Sequence, residues 1–255
     1  DELLREAAES ELPPDAHVPV WPAPAWVREL RMLIRLRADL VARVRAIKTR
    51  VLGVLRAQRI VEPVKPGRWT NGWRAWLESA PGVSEAGVFT ITTHLAEMGW
   101  LRERVAQTEA KLAEATRGDS VVARLLEQPG VGKVTAWTMR ALIGDFGRFT
   151  NGKQLARFCA VTPRNASSGQ RVADAGLIRA GDPLLKSVLI EAGHRLRRLE
   201  PRWEKFSESL HARGKPVSVI VAAVANRWVR WLYYQIKEIR PTEGVKEGER
   251  GGVAA

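Results

Sequence analysis

The sequence predicts a mainly α fold: a helical coiled-coil region followed by a second helical unit with a helix-hairpin-helix-like turn. Three observations carry this expectation. Residues 26–60 and 89–116 repeat apolar side chains in steps of three and four, the period of a helix that buries one seam. Residues 125–136 set two glycines between helical stretches, and residues 183–199 and 216–239 are again helical in pattern. The chain has 255 residues, 45% hydrophobic and 27% charged, a globular composition with room for one or two cores.

Residues 1–25 read as an acidic linker, with six carboxylates and one arginine in the first sixteen positions. Pro19, Pro22 and Pro24 then block regular structure. Over 26–60 the seam is Leu30, Leu33, Leu40, Val44, Ile47, Val51 and Val54, interrupted at Arg37. The other side of this helix carries ten Lys or Arg against only Glu29 and Asp39, so it offers either a solvated face or phosphate contacts, with Arg31, Arg35, Arg43 and Arg50 as candidates. Pro63, Pro66 and Gly67 break the helix. Trp69, Trp73 and Trp76 follow at helical spacing, a pattern that suits packing better than base stacking. The helix over 89–116 carries Leu95, Met98, Val105 and Leu112 on one side. It pairs either with the first helix as a hairpin or with another subunit, and we expect subunit contacts through both seams. Gly118-Asp119-Ser120 ends the coiled-coil region, residues 26–118, with a helix stop and a new N-cap.

The second unit, residues 119–239, opens on Leu125-Leu126-Glu127-Gln128-Pro129-Gly130-Val131-Gly132-Lys133-Val134-Thr135-Ala136. Gly130 and Gly132 would let the backbone approach a phosphate at a helix N-terminus, with Lys133 adding a charge beside it. The spacing is not that of a P-loop. Arg148, Lys153 and Arg157 follow in Gly144-Asp145-Phe146-Gly147-Arg148-Phe149 and Lys153-Gln154-Leu155-Ala156-Arg157-Phe158, and are expected to stay partly free. The polar stretch Thr162-Pro163-Arg164-Asn165-Ala166-Ser167-Ser168-Gly169-Gln170-Arg171 sets two hydroxyls between arginines. A serine attacking phosphorus needs such cations, and Arg164, Arg171 and Arg179 could supply them. By itself this pattern is mostly that of a loop. A basic helix carrying Lys186, Arg195, Arg197 and Arg198 ends at Pro201, a last apolar helix spans 216–239, and residues 240–255 have the composition of a disordered tail.

Forty-one Lys and Arg against 28 Asp and Glu leave a formal charge of +13, which favours polyanionic partners. The single cysteine, Cys159, excludes an internal disulfide and a multi-cysteine zinc site; it suits a reducing cytoplasm and a buried position. His17, His94, His194 and His211 fall far apart, so no metal site is expected in this chain. The longest apolar run, 217–225, is too short to span a bilayer, and no membrane partner is expected.

Taken together, the helix VRELRMLIRLRADLVARVRAIKTRV, the turn PGVGKVTA, then GDFGRF, KQLARF, TPRNASSG, GLIRAGDPLLK and ARGK at 212–215 resemble transposases of insertion-sequence family 110. These are DEDD-type, bridge-RNA-guided serine recombinases. The resemblance covers residues 25–238, with Ala160 where such proteins usually have Gly and Arg179 where they usually have Lys. It implies that 119–239 is a transposase domain whose nucleophile is Ser168, with Ser167 the second choice. It also implies DNA partners, donor and target, a guide (bridge) RNA, and self-association as a dimer or tetramer. Mg2+ is expected in an N-terminal RuvC-like domain missing from this chain, so the isolated chain is expected to bind no cofactor and to be inactive. The alternative is a non-catalytic DNA- or RNA-binding module. A cytoplasmic, nucleoid-associated prokaryotic protein is expected.

Overall fold

The computed structural model describes residues 21–165 and 174–239. Residues 1–20 of the acidic linker, the segment holding Ser167, Ser168 and Arg171, and the tail at 240–255 lie outside the described residues. Within them are nine α-helices, one short 3-10 turn and a two-stranded antiparallel sheet, so the mainly α expectation is met. No helix among them is long and apolar enough to cross a membrane.

Helix α1 (Ala25–Ala57) buries Val27, Leu30, Ile34, Leu40, Ile47, Val51 and Leu55. Helix α3 (Glu85–Ala115) starts at the Ser84 hydroxyl, which accepts the Gly87 N–H, and buries Ile91, Met98, Leu101 and Leu112. The two lie side by side along their length. They run antiparallel: Leu30 and Ile34 share an apolar cluster with Leu112, whereas Leu55 shares one with Ile91. The seams expected to meet a second subunit therefore meet each other within one chain. At the interrupted position, Arg37 donates to Glu109 of α3 across 2.7 Å. A straight helix turns 3.6 residues at a time, so Ile34 and Leu55 share the buried seam, while Leu33, Val44 and Val54 pack half-buried beside it. The tip is closed by α2 (Asn71–Glu78), whose Trp73 is fully buried with ring centroids 4.8 and 5.8 Å from Trp69 and Trp76. The tryptophan stripe thus packs the hairpin end.

The second unit is wound around α9 (Val217–Ile236), which buries Ile220, Val221, Val224, Ala225, Trp228, Val229, Leu232, Tyr233 and Ile236. Packed on it are α6 (Gly152–Phe158), α7 (Pro183–Leu199) and α8 (Pro201–Ala212). Helix α8 is a correction to the expectation that Pro201 only ends the basic helix. Proline lacks an N–H, which the first turn of a helix leaves unbonded anyway, and Glu200 caps α8 by accepting the Trp203 N–H. Helix α5 (Lys133–Ile143) is buried from Thr135 to Ile143 and lies between α7 and α1, with α4 (Ser120–Leu126) on its side. Leu30, Ile34 and Leu112 join the core of α4–α9, so the base of the hairpin and the second unit share one apolar cluster. Strands β1 (Pro163–Asn165) and β2 (Asp174–Leu177) pair antiparallel, Pro163 opposite Leu177 and Asn165 opposite Asp174.

Candidate nucleic-acid interface

Between α4 and α5, Gly130 and Gly132 do different things. Gly130 has φ +77°, and a Cβ there would sit 2.7 Å from Cβ of Arg195 on α7. The Arg195 guanidinium also donates to the Gly130 carbonyl at 3.3 Å. That glycine is needed for the turn and for helix packing. Gly132 is open, with no atom within 4 Å of a built Cβ, and it precedes the first turn of α5, which has no side-chain cap. Those N–H groups and the exposed Lys133 present a positive helix end to solvent.

Two of the arginines expected to contact phosphate have partners within the chain. Arg31 donates from Nε to the Ala141 carbonyl at 3.0 Å and from an Nη to Leu142 at 3.3 Å, capping the C-terminal end of α5. Burial and the neighbouring Arg35 lower its pKa, against the pull of Asp182. Arg148 donates to the Ile143 carbonyl and sits among Trp21, Phe149 and Phe158, 4.4–4.6 Å from each ring centroid. Burial, then the charge of Arg31, lowers its pKa. Arg31 fastens the hairpin base to the second unit, and Arg148 joins Trp21, ahead of α1, to α5 and the rings of Phe149 and Phe158. Beneath Arg148, Cys159 is buried as expected, and burial holds its thiol well above the ordinary range.

A second group surrounds the paired strands. Arg164 in β1 and Arg179 just beyond β2 are exposed, and Lys186 donates to the Ile178 carbonyl at 3.4 Å. Arg35 reaches across from α1 to Asp182, the N-cap of α7, at 3.0 Å. The chain folds tightly here because Gly181, at φ +111°, lies against Ala160 and the Phe158 carbonyl, where a Cβ would approach to 2.8 and 3.0 Å. Ala160 itself takes φ +56°, the left-handed region that favours the Gly expected at that position. Arg164 stands next to Asn165, at the end of the pair that opens on residue 174, and Arg179 follows Leu177 at the other end; in sequence the two bracket the segment that carries Ser168. Arg43 and Arg50 stand exposed on the hairpin shaft, away from both groups.

Sequence reasoning missed a third group. A groove of about 800 Å³ between α6, α8 and α9 is lined by Lys153, Arg202, Arg227, Arg230, Trp231 and Tyr234 among others. Of these, only Lys153 was a sequence candidate. The signal was present in the alternation of Arg with Trp and Tyr over 227–234, but these positions read first as a buried helix.

Residues 122–208, from within α4 to within α8, match the family described as the Transposase IS116/IS110/IS902 family. The chain is similar to a probable family 20 transposase of Pseudomonas aeruginosa, 29% identical over 144 residues, 54% of this chain and 41% of that protein. It is similar to the transposase for insertion sequence element IS1111A of Coxiella burnetii, 23% identical over 217 residues, 80% of this chain and 58% of the relative. A pilin gene-inverting protein of Moraxella lacunata is 28% identical over 120 residues, 44% of this chain and 36% of that protein. The chain spans about half the length of the curated relatives it matches. The similarity of this chain, over α4–α8 and beyond, is thus to transposases and to a gene-inverting protein.

Proposed function

We propose that this chain is the coiled-coil and DNA-handling part of a transposase that cuts and rejoins DNA through Ser168. The observation that carries the reading is the family match over 122–208, which includes the serine segment and both arginines flanking it. In the proposed step, Ser168 Oγ bonds to a scissile phosphorus as the bond from phosphorus to one deoxyribose oxygen breaks. The serine proton passes to the released hydroxyl. A hydroxyl of a second strand then reverses the exchange, so the phosphoester energy is conserved without a nucleotide cofactor. Arg164 and Arg179 suit the crowded, anionic phosphoryl group of that transition state, while the open start of α5 with Lys133 suits positioning of a DNA backbone.

Among the described residues no group of three or more His, Cys, Asp or Glu side chains could hold a metal ion. These residues do not fit a Mg2+ site; the resemblance assigns the metal to a RuvC-like domain. The bridge RNA likewise rests on the resemblance, and pairing would then select the DNA while side chains read backbone and shape. Self-association would use the outer face of α3, where Phe89 and Trp100 are 73% and 48% exposed, because the seam facing α1 is filled.

The test is covalent trapping. The full-length protein with its nucleic-acid partners should form a protein–DNA adduct that is lost in the Ser167→Ala, Ser168→Ala double variant and survives in Ser167→Ala alone. Undiminished adduct in the double variant excludes the serine step and leaves a binding module.

A further inference from the structure

We propose that the groove between α6, α8 and α9 binds unpaired nucleotides of single-stranded DNA. Ring-backed arginines build it. The Arg227 guanidinium lies 4.0 Å over the Phe206 ring, and that of Arg202 lies 4.9 and 5.4 Å from the Trp203 and Trp231 rings. A guanidinium held over a ring loses freedom, and its outer face can serve as a platform on which a base stacks while its edge N–H groups reach phosphate oxygens. Trp203 and Trp231 meet edge to face at 6.4 Å, which fixes that backing. Tyr234, 54% exposed at the rim, offers a second stacking surface.

Charge selects the class of occupant. Lys153, Arg202, Arg227 and Arg230 all line the groove, none of them pairs with a carboxylate among the described residues, and no described carboxylate lines the walls. Elsewhere in the molecule Arg35, Arg37, Arg68, Arg124 and Arg140 each have an acidic partner. Four unneutralised cations around aromatic rings match a chain that alternates phosphates with flat bases. Duplex DNA hides those faces in its own stack, so the occupant must be unpaired. DNA is the strand taken because the proposed reaction exchanges DNA ends; the donor-rich lining serves phosphate oxygens, and a 2′-hydroxyl, itself donor and acceptor, adds no discrimination.

The inference rests on the DNA-rejoining reading, in which strand exchange leaves bases unpaired, and it can fail separately from it. The measurement is anisotropy titration of this chain with a short oligothymidylate, a matched oligouridylate and a matched duplex. Arg202→Gln with Arg227→Gln should weaken oligothymidylate binding at least about tenfold and leave duplex binding nearly unchanged. Arg202→Lys with Arg227→Lys, which keeps the charge and guards against a fold defect, should still lose most of that affinity because the planar platform is gone. The Ser167→Ala, Ser168→Ala variant should bind as the parent does, whatever becomes of the serine step. Equal losses on single strand and duplex, tighter binding of oligouridylate, or equal competition by an acidic polypeptide would each overturn the proposal.

Discussion

Asp119 joins two tasks that are usually separate. Its carboxylate caps α4 by accepting the Val121 and Val122 N–H groups, and it pairs with Arg140 across 2.6 Å. Arg140 is 3% exposed, lies over the Trp26 ring at 4.1 Å and donates to the Gly144 carbonyl as well. Removing the carboxylate therefore strands a buried charge besides uncapping a helix. Asp119→Ala is expected to cost about 3–5 kcal/mol, well beyond the ~1 kcal/mol of a lost cap alone. Asp119→Asn, which can still cap, should fall between the two. Urea unfolding followed by circular dichroism checks both; a loss in Asp119→Ala no larger than that of a cap would mean that Arg140 is not held by the charge.

The hairpin shows how an element's partner decides the meaning of its pattern. Ile47 is 1% exposed and Val44 packs half-buried against the same cluster, which α1 and α3 fill from both sides. Val44→Glu with Ile47→Glu therefore introduces carboxylates into an intrachain core. The expected outcome is a hairpin destabilised by several kcal/mol, with lost helicity and a lower melting temperature. Had the seam joined subunits, the same pair would give well-folded monomers. Melting curves with light scattering separate these: a fully helical, undestabilised monomer would return the seam to subunit contact. Phe89→Glu on the exposed face of α3 serves as the contrast, and should leave the melting temperature nearly unchanged.

For the whole molecule, the formal charge of +13 is unevenly distributed in its use. Arg31, Arg140 and Arg148 are committed to holding elements together, and several others are paired, while Arg43, Arg50, Lys133, Arg164 and Arg179 stand exposed. Nucleic-acid affinity should fall steeply with salt, by about 0.9 in log–log slope for each duplex phosphate neutralised. Arg43→Gln with Arg50→Gln should reduce that slope by up to about two without moving stability. The slope is read from titrations across salt concentrations. An unchanged slope would take the hairpin shaft out of the interface.

The sequence by itself determined the mainly α class, the long helices of the hairpin, the stop at Gly118-Asp119, the glycine turn and the burial of Cys159. Each of these is written in local period, capping chemistry or backbone freedom, which act over a few residues. Its motifs also pointed to the family whose model matches residues 122–208. Only the tertiary structure decided that α1 and α3 spend their seams on each other, because a heptad specifies a partner surface and not whose chain supplies it. It alone separated Arg31 and Arg148, drawn inward by carbonyls and rings, from the arginines left in solvent: the same residue type serves both roles, and the partner lies up to 111 positions away. Of the arginine groove the sequence held only the alternation of Arg with Trp and Tyr over 227–234. Arg202 on α8, Arg227 and Arg230 on α9 and Lys153 on α6 are distant in sequence and become one surface only when three helices pack against each other.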